Sequence, residues 1–257
     1  KTSALIRFKD TEMDWTHYKT KYDLTIDSLV YDKKDVHYAL INDYIPAKVN
    51  VKGQVSGTAK ILFLDQLKVK TNKSIADLSG RVKYPFIPRK TNLKFDFNTL
   101  KVDPYIAHFY LKETGISENL MPLFPLNYKG LYKGNFIYNE SKGQFNTAIG
   151  NLYTDIQILL EDNAKNAIYF ANLNLDNFKL NTLLDNSDFG ETTMKINVDG
   201  EGFDWNSLKV KLDANIEEFQ YKDYIYTEVI SNGSIQKDRY SGHLVVEDTN
   251  LSLTFNG

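Results

Sequence analysis

Met194-Lys195-Ile196-Asn197-Val198-Asp199-Gly200 is the stretch that decides the fold. Its apolar residues stand at every second place, with Lys195, Asn197 and Asp199 between them. Successive side chains of a β-strand point to opposite faces, so this spacing describes a strand with one apolar and one wet face. The same alternation recurs in both directions along the chain. Val49 and Val51 alternate with Lys48, Asn50 and Lys52, and Leu93, Phe95 and Phe97 with Lys94 and Asp96. Leu208, Val210 and Leu212 alternate with Lys209 and Lys211, and Leu251, Leu253 and Phe255 with Ser252 and Thr254. Parallel sheets are covered on both sides and read as unbroken apolar runs, so wet alternates argue for antiparallel pairing. The fold class expected is all-β.

Turn signals separate these strands: Asn232-Gly233, Asp199-Gly200, Ser141-Lys142-Gly143 and Lys222-Asp223. Helix is scarce. Residues Asp103 to Tyr110 read as one short helix, with Asp103 as N-cap and Pro104 in the first turn. Asn181 to Asp185 reads as a second. All six prolines lie at or before Pro125, so the chain from Leu126 onward suits an uninterrupted ladder, which proline would break by removing a donor.

The decisive stretch also contains a repeat. Val49-Asn50-Val51-Lys52-Gly53 is followed by Leu126-Asn127-Tyr128-Lys129-Gly130 and Ile196-Asn197-Val198-Asp199-Gly200, with a looser copy at Leu253-Thr254-Phe255-Asn256-Gly257. From glycine to glycine the spacings are 77, 70 and 57 residues. The expectation is a strand ending in a bulge or tight turn, where glycine tolerates positive φ. A strand followed by glycine is also common in any all-β protein. Taken as a repeat, the pattern divides a single elongated region into segments 1–57, 58–134, 135–202 and 203–257. The first residue is Lys1 and the last copy ends at Gly257, so the chain reads as a window of a longer protein.

Composition excludes several functions. The 257 residues carry 31 basic and 33 acidic side chains, a formal charge of −2, without the basic footprint that nucleic acid demands. There is no cysteine, hence no disulfide or thiolate chemistry. No apolar run approaches the ~20 residues that cross a bilayer as a helix. His17, His37, His108 and His243 form neither HExxH nor HxH, so no metal site is expected. Asp185 to Glu191 lacks the alternating oxygens of a calcium loop and reads as a helix-ending turn. Glu217 and Glu218 are adjacent, so on a strand they face opposite sides and make no acid/base pair. Neither GxSxG, Walker A nor GxGxxG occurs. No enzyme and no cofactor is expected.

An apolar sheet face must be covered. A second sheet would make a sandwich, and a single long sheet folded on itself would make an open trough. The first fits an extracellular module that binds glycan or protein, and the second a conduit.

FNTAIGNLYTDIQI at Phe145–Ile158, NLNLDNFKLNTLLDNSDFGETTMKINVDGEG at Asn172–Gly202 and LVVEDTNLSLTFNG at Leu244–Gly257 resemble the TamB/AsmA-like family of bacterial envelope proteins, in particular the TamB-like proteins of Bacteroidetes. The order of elements matches over about 200 residues, while the first 45 match less. The resemblance implies a β-taco, a long curved sheet with an apolar groove. It implies a translocation and assembly module, anchored in the inner membrane and crossing the periplasm. Such proteins move phospholipid between the membranes and assemble outer-membrane proteins beside a TamA-like barrel. On that reading the groove holds acyl chains. Its expected lining is Val49, Val51, Leu93, Phe95, Phe97, Phe145, Ile156, Ile158, Leu173 and Leu175. Met194, Ile196, Val198, Leu208, Val210, Leu212, Leu251, Leu253 and Phe255 complete it. Lys209 and Lys211 are expected on the convex, wet side.

Overall fold

Alternating sequences with two-residue turns between them form meanders, because neighbouring strands in the chain are the first to meet. The computed structural model describes residues 2–7, 16–17, 19–32, 48–71, 73–108, 118–161, 166–202, 208–236 and 239–257. The protein is all-β, and it divides into two compact units. One comprises Lys1–Thr114 with Asn127–Phe136, the other Gly115–Leu126 with Ile137–Gly257.

The first unit holds β1 (Thr2–Arg7), β2 (Lys21–Asp32), β3 (Lys48–Thr58), β4 (Ile61–Lys70), β5 (Ile75–Lys83), β6 (Asn92–Val102) and β7 (Leu126–Gly134). Strands β1 to β6 pair antiparallel in chain order, and β7 lies beside β6. The second unit holds β8 (Tyr138–Thr147), β9 (Gly150–Glu161), β10 (Asn166–Lys179), β11 (Phe189–Glu201), β12 (Lys209–Tyr221), β13 (Tyr224–Gln236), β14 (Arg239–Asp248) and β15 (Leu251–Asn256). These eight also pair antiparallel in chain order. Among the described residues, neither unit contains a second sheet packed on the first.

The repeat falls on a simple count. Its four copies lie on β3, β7, β11 and β15, every fourth strand. In the second unit, β11 and β15 therefore run in the same direction, separated by three antiparallel partners. Gly257 follows the last residue of β15 and Gly200 is the penultimate residue of β11, whereas Gly53 and Gly130 lie inside their strands. Gly53 lies inside β3, where the register against β4 shifts between Lys52 and Gln54. Its φ of 140° and the Gln66 carbonyl 2.8 Å from a would-be Cβ exclude other residues. Gly200 answers to a different need. It lies within β11, and a Cβ there would meet the Tyr169 ring at 2.2 Å.

Only one of the four expected turns is a turn. Lys222-Asp223 joins β12 to β13, with Lys222 at φ 53°. Asn232-Gly233 lies inside β13, Asp199-Gly200 inside β11 and Ser141-Lys142-Gly143 inside β8. Gly200 and Gly233 clear space on the sheet face instead of reversing the chain. Gly233 lies beneath the Tyr240 ring as Gly200 lies beneath Tyr169.

The helical expectations stand where they are described. Residues 104–108 are helical, and Asp103 Oδ1 accepts the backbone N–H groups of Tyr105 and Ile106 at 2.8 and 3.3 Å. Residues 109 and 110 lie outside the described residues, as does His37. Leu180–Leu184 forms a short α-helix that ends at Asp185 in a left-handed conformation. Strands β7 to β15 contain no proline; Pro122 lies in a 3-10 turn, Glu118–Leu123.

Two carboxylates lock connections. Asp103 is buried, which on its own would raise its pKa. Hydrogen bonds from Ser74 Oγ at 2.5 Å and from the Ile106 and Tyr105 amides, with the charge of Lys73, outweigh burial and hold it below the usual carboxylate range. Asp248, at the end of β14, accepts the Tyr224 hydroxyl, the Asn250 and Thr227 amides and the Thr227 hydroxyl. The Tyr224 bond is the largest cause, and the pKa falls to about 2. A carboxylate with a depressed folded pKa stabilises above its unfolded value, and the effect fades as pH drops through the folded value. Wild type should therefore melt above Asp248→Asn at neutral pH, and the two melting temperatures should converge between about pH 4 and pH 2. Thermal melts by circular dichroism across that range check it.

Candidate functional site

In an antiparallel sheet, directly opposed residues share a face. Register therefore shows which of the expected lining residues come together. In the second unit, Phe145 faces Leu152, which faces Leu175, and Leu175 faces Met194. The same rung continues through Ile216, Val229 and Val246 to Leu253. Beside it, Leu173 faces Ile196, followed by Ala214, Ser231, Leu244 and Phe255. A third rung links Ile156, Ala171, Val198 and Leu212, and a fourth links Ile158, Tyr169, Gly200 and Val210. Leu251 alternates onto the side of Leu253 and Phe255. Leu208 directly precedes β12 and is half-buried. The expected lining of this unit thus occupies one face.

The first unit repeats the arrangement. Val51 faces Val69, which faces Ala76 and then Leu100. Phe97 faces Leu78; Phe95 faces Gly80, Leu64 and Val55; Leu93 faces Val82 and Leu62. Val49 is buried opposite Tyr31. Aromatic rings gather at β6 and β7. Phe95 lies 6.4 Å from Tyr132, and Phe97 lies 5.9 Å from the buried Tyr128, whose hydroxyl donates to the Leu131 carbonyl at 2.8 Å. Burial raises the pKa of Tyr132, and in the second unit that of Tyr169, so both hydroxyls stand in partly dry surroundings.

The apolar face of the second unit is not uniform. At one end, Ile149, Leu175 and Phe178 form a buried cluster. Leu180 and Leu183 of the short helix, Leu123 of the 3-10 turn and Leu173, Met194 and Ile196 of the sheet pack against it. The Ala148 amide ties the hairpin to the Leu123 carbonyl. Leu173, Leu175, Met194 and Ile196, expected to line an open groove, here contribute to a local closed core. The cause is the short helix, whose two leucines reach back over the strands beside it. Toward β15 the face opens, and Leu251, Leu253 and Phe255 are 37, 43 and 45% exposed.

The opposite face is mostly polar, with Tyr138, Tyr153, Leu159, Ile168, Phe170 and Ile230 interspersed on it. Lys195 pairs with Glu217 at 3.0 Å, Lys209 with Glu201 at 3.2 Å and Lys142 with Asp155 at 2.8 Å. Exposed pairs of this kind contribute little, about 0–1 kcal/mol each. Glu217 is thus in an ion pair across the strands, and the Glu218 carbonyl accepts the Thr192 hydroxyl. Among the described residues, no group of three or more His, Asp or Glu side chains could hold a metal ion. His243 Nδ1 lies 2.6 Å from Asn256 Oδ1.

A depression of about 500 Å³ lies on this polar face, over β9 to β12. Lys211 borders it, on the wet face where it was expected. Phe170, 52% exposed, is among the residues that line it. Sequence reading missed it, although the signal was present. Phe170 is out of phase with the apolar alternates Tyr169, Ala171, Leu173 and Leu175.

Comparison of the chain with protein-family models, with curated proteins and with solved structures found no match.

The two ends of the apolar face should respond differently to truncation. Phe178→Ala empties a closed cluster and should cost about 3–5 kcal/mol. Leu253→Ser on the open end should stay within about 0.5 kcal/mol of wild type, as surface substitutions do. Urea denaturation of both variants measures the contrast.

Proposed function

We propose that the chain is a non-enzymatic module of the bacterial envelope whose apolar sheet face carries phospholipid acyl chains. In this reading it is a periplasmic stretch of an inner-membrane-anchored, TamB-like protein. It serves lipid transfer between the inner and outer membranes, and outer-membrane protein assembly beside a TamA-like barrel. The observation that supports it most is the face itself. Rung after rung of aliphatic side chains shares one side of a single-layer sheet, with no second sheet over it among the described residues. The resemblance to TamB supplies the direction of the argument and the partners.

The physics of transfer fits such a surface. An acyl chain in water costs about 0.8 kcal/mol per exposed CH₂. Aliphatic rungs remove that cost without holding the lipid at any one of them. The face presents Val198, Val210 and Leu212, which offer no directional anchor, so neighbouring rungs bind alike and a chain can slide. A sandwich that binds glycan through its loops would need a second sheet to bury these rungs.

Charge on the open part of this face should block transfer without unfolding the protein. Val210→Asp and Leu212→Asp should lose about 0.5–3 kcal/mol, the ordinary range for a point change. They should also co-purify with less phospholipid and fail to restore outer-membrane integrity. Ile196→Asp buries a carboxylate against the Phe178 cluster and should cost several kcal/mol more. Lys209→Ala, on the other face, is the control. Thermal melts, mass spectrometry of organic extracts and a detergent-sensitivity assay in cells read the three effects. Folded Asp variants with unchanged lipid and intact envelopes would sink the conduit.

A further inference from the structure

On a wet sheet face, side chains are expected to be polar, and around Phe170 many are, although Ile168 and Leu159 flank the ring in the next row and Tyr153, 48% exposed, stands beyond Asp155 on the same face. Two rows of opposed residues cross the depression. One runs Asp155, Asn172, Asn197, Asp213, and the other runs Gln157, Phe170, Asp199, Lys211. Amides and carboxylates thus stand on one side of the ring, and Leu159 and Ile168 on the other. Asp155 is held by Lys142. Among the described residues, no hydrogen bond or ion pair engages the side chains of Asn172, Asn197, Asp199 or Asp213.

We propose that this depression is a saccharide-binding site, which takes a neutral β-linked oligosaccharide lying along the Asp155–Asp213 row. The chemistry matches on three counts. A pyranose ring with equatorial hydroxyls has an apolar C–H face that stacks on an exposed aromatic ring, and Phe170 offers one. Its rim presents hydroxyls that both donate and accept. Asn172 and Asn197 offer both functions, and the aspartates accept. Adjacent strands lie about 4.7–4.9 Å apart, so a row of opposed side chains offers hydrogen-bonding groups at regular intervals along an extended chain. Binding sites of this kind combine an apolar surface with a few placed polar groups.

Charge narrows the class. Asp199 and Asp213 outnumber Lys211, and Asp155 and Lys142 cancel, so the field disfavours sulfated or uronic-acid polymers. Its polar side chains stand on the face opposite the aliphatic rungs, although Ala171, Val198 and Leu212 of the third rung also border the depression.

The test titrates the 257-residue chain with cellohexaose, chitohexaose and a heparin hexasaccharide, by calorimetry and by amide chemical-shift perturbation. At least one neutral oligomer should bind saturably and shift Phe170, Asn172 and Asn197. Phe170→Ala should weaken that binding about tenfold or more. Asn197→Ala should weaken it less, and Leu253→Ser, on the other face, should leave it unchanged. The proposal is overturned if neither neutral oligomer binds at millimolar concentration, if heparin binds tighter, or if Phe170→Ala binds as wild type does. Should Phe170→Ala fail to fold, shift mapping on the unaltered chain decides. Shifts confined to the aliphatic face would then also overturn it.

Discussion

Pairing register is the constraint from which the rest of this structure follows. Strand side chains alternate with a period of two, so a slip of one residue would turn a whole apolar set to the wet side. In both units the register does the opposite. Leu175 opposes Met194, Ile196 opposes Ala214 and Val229 opposes Val246, strand after strand. Every such pair adds a few tenths to about 1 kcal/mol and fixes which face its neighbours take. Aliphatic content alone would not make a face; correct opposition does.

The irregularities of the sheet are compatible with that rule because they come as bulges, which absorb residues without changing sides. Leu64 faces Gly80 and Leu67 faces Leu78, so Asp65 and Gln66 are accommodated between them, with Gln66 at φ 47°. The apolar pattern resumes in phase after the gap. Between Leu175 and Phe178 the same device lets two apolar residues three apart share the closed cluster. Glycine supports this from inside strands. Gly53 permits a bulge, whereas Gly200 and Gly233 leave room for tyrosine rings laid across them.

Strand identity was legible in the sequence because period-two alternation is local. Met194-Ile196-Val198 and Leu93-Phe95-Phe97 read as they fold, and Asp103 before Pro104 announced its cap. The fourfold spacing of the repeat was visible as four pentapeptides, and only the strand count showed what it measures. Turns were less legible. Asn232-Gly233 is a strong hairpin signal in isolation, yet it pairs with Leu212 and Gly242 across two ladders. Tertiary pairing overrides a local preference of this size. The closed cluster at the short helix was hidden too. Nothing in Leu180 or Leu183 says which strands they will cover, since that depends on where the chain returns. The depression around Phe170 depends on neighbours from four strands, and a single chain segment cannot show it.

The two faces of this sheet ask for different occupants, and physical chemistry separates them. A face of valine, leucine and isoleucine, half-open to water, gains from any apolar chain and discriminates little, because dispersion and desolvation carry no direction. A face of opposed amides and carboxylates gains nothing from such a chain, and it discriminates by the placement of donors and acceptors. Phe170 belongs to the second logic, although it is apolar. Beside Leu159 and Ile168 and facing amides and carboxylates, it can set the plane on which a polar ligand with one apolar face would rest. Tyr169, one residue earlier, has the reverse character, since its ring packs over Gly200 on the aliphatic side while its hydroxyl is partly desolvated. Adjacent aromatic residues on one strand thus serve opposite faces, and the alternation of the backbone keeps a slippery surface and a selective one a single residue apart.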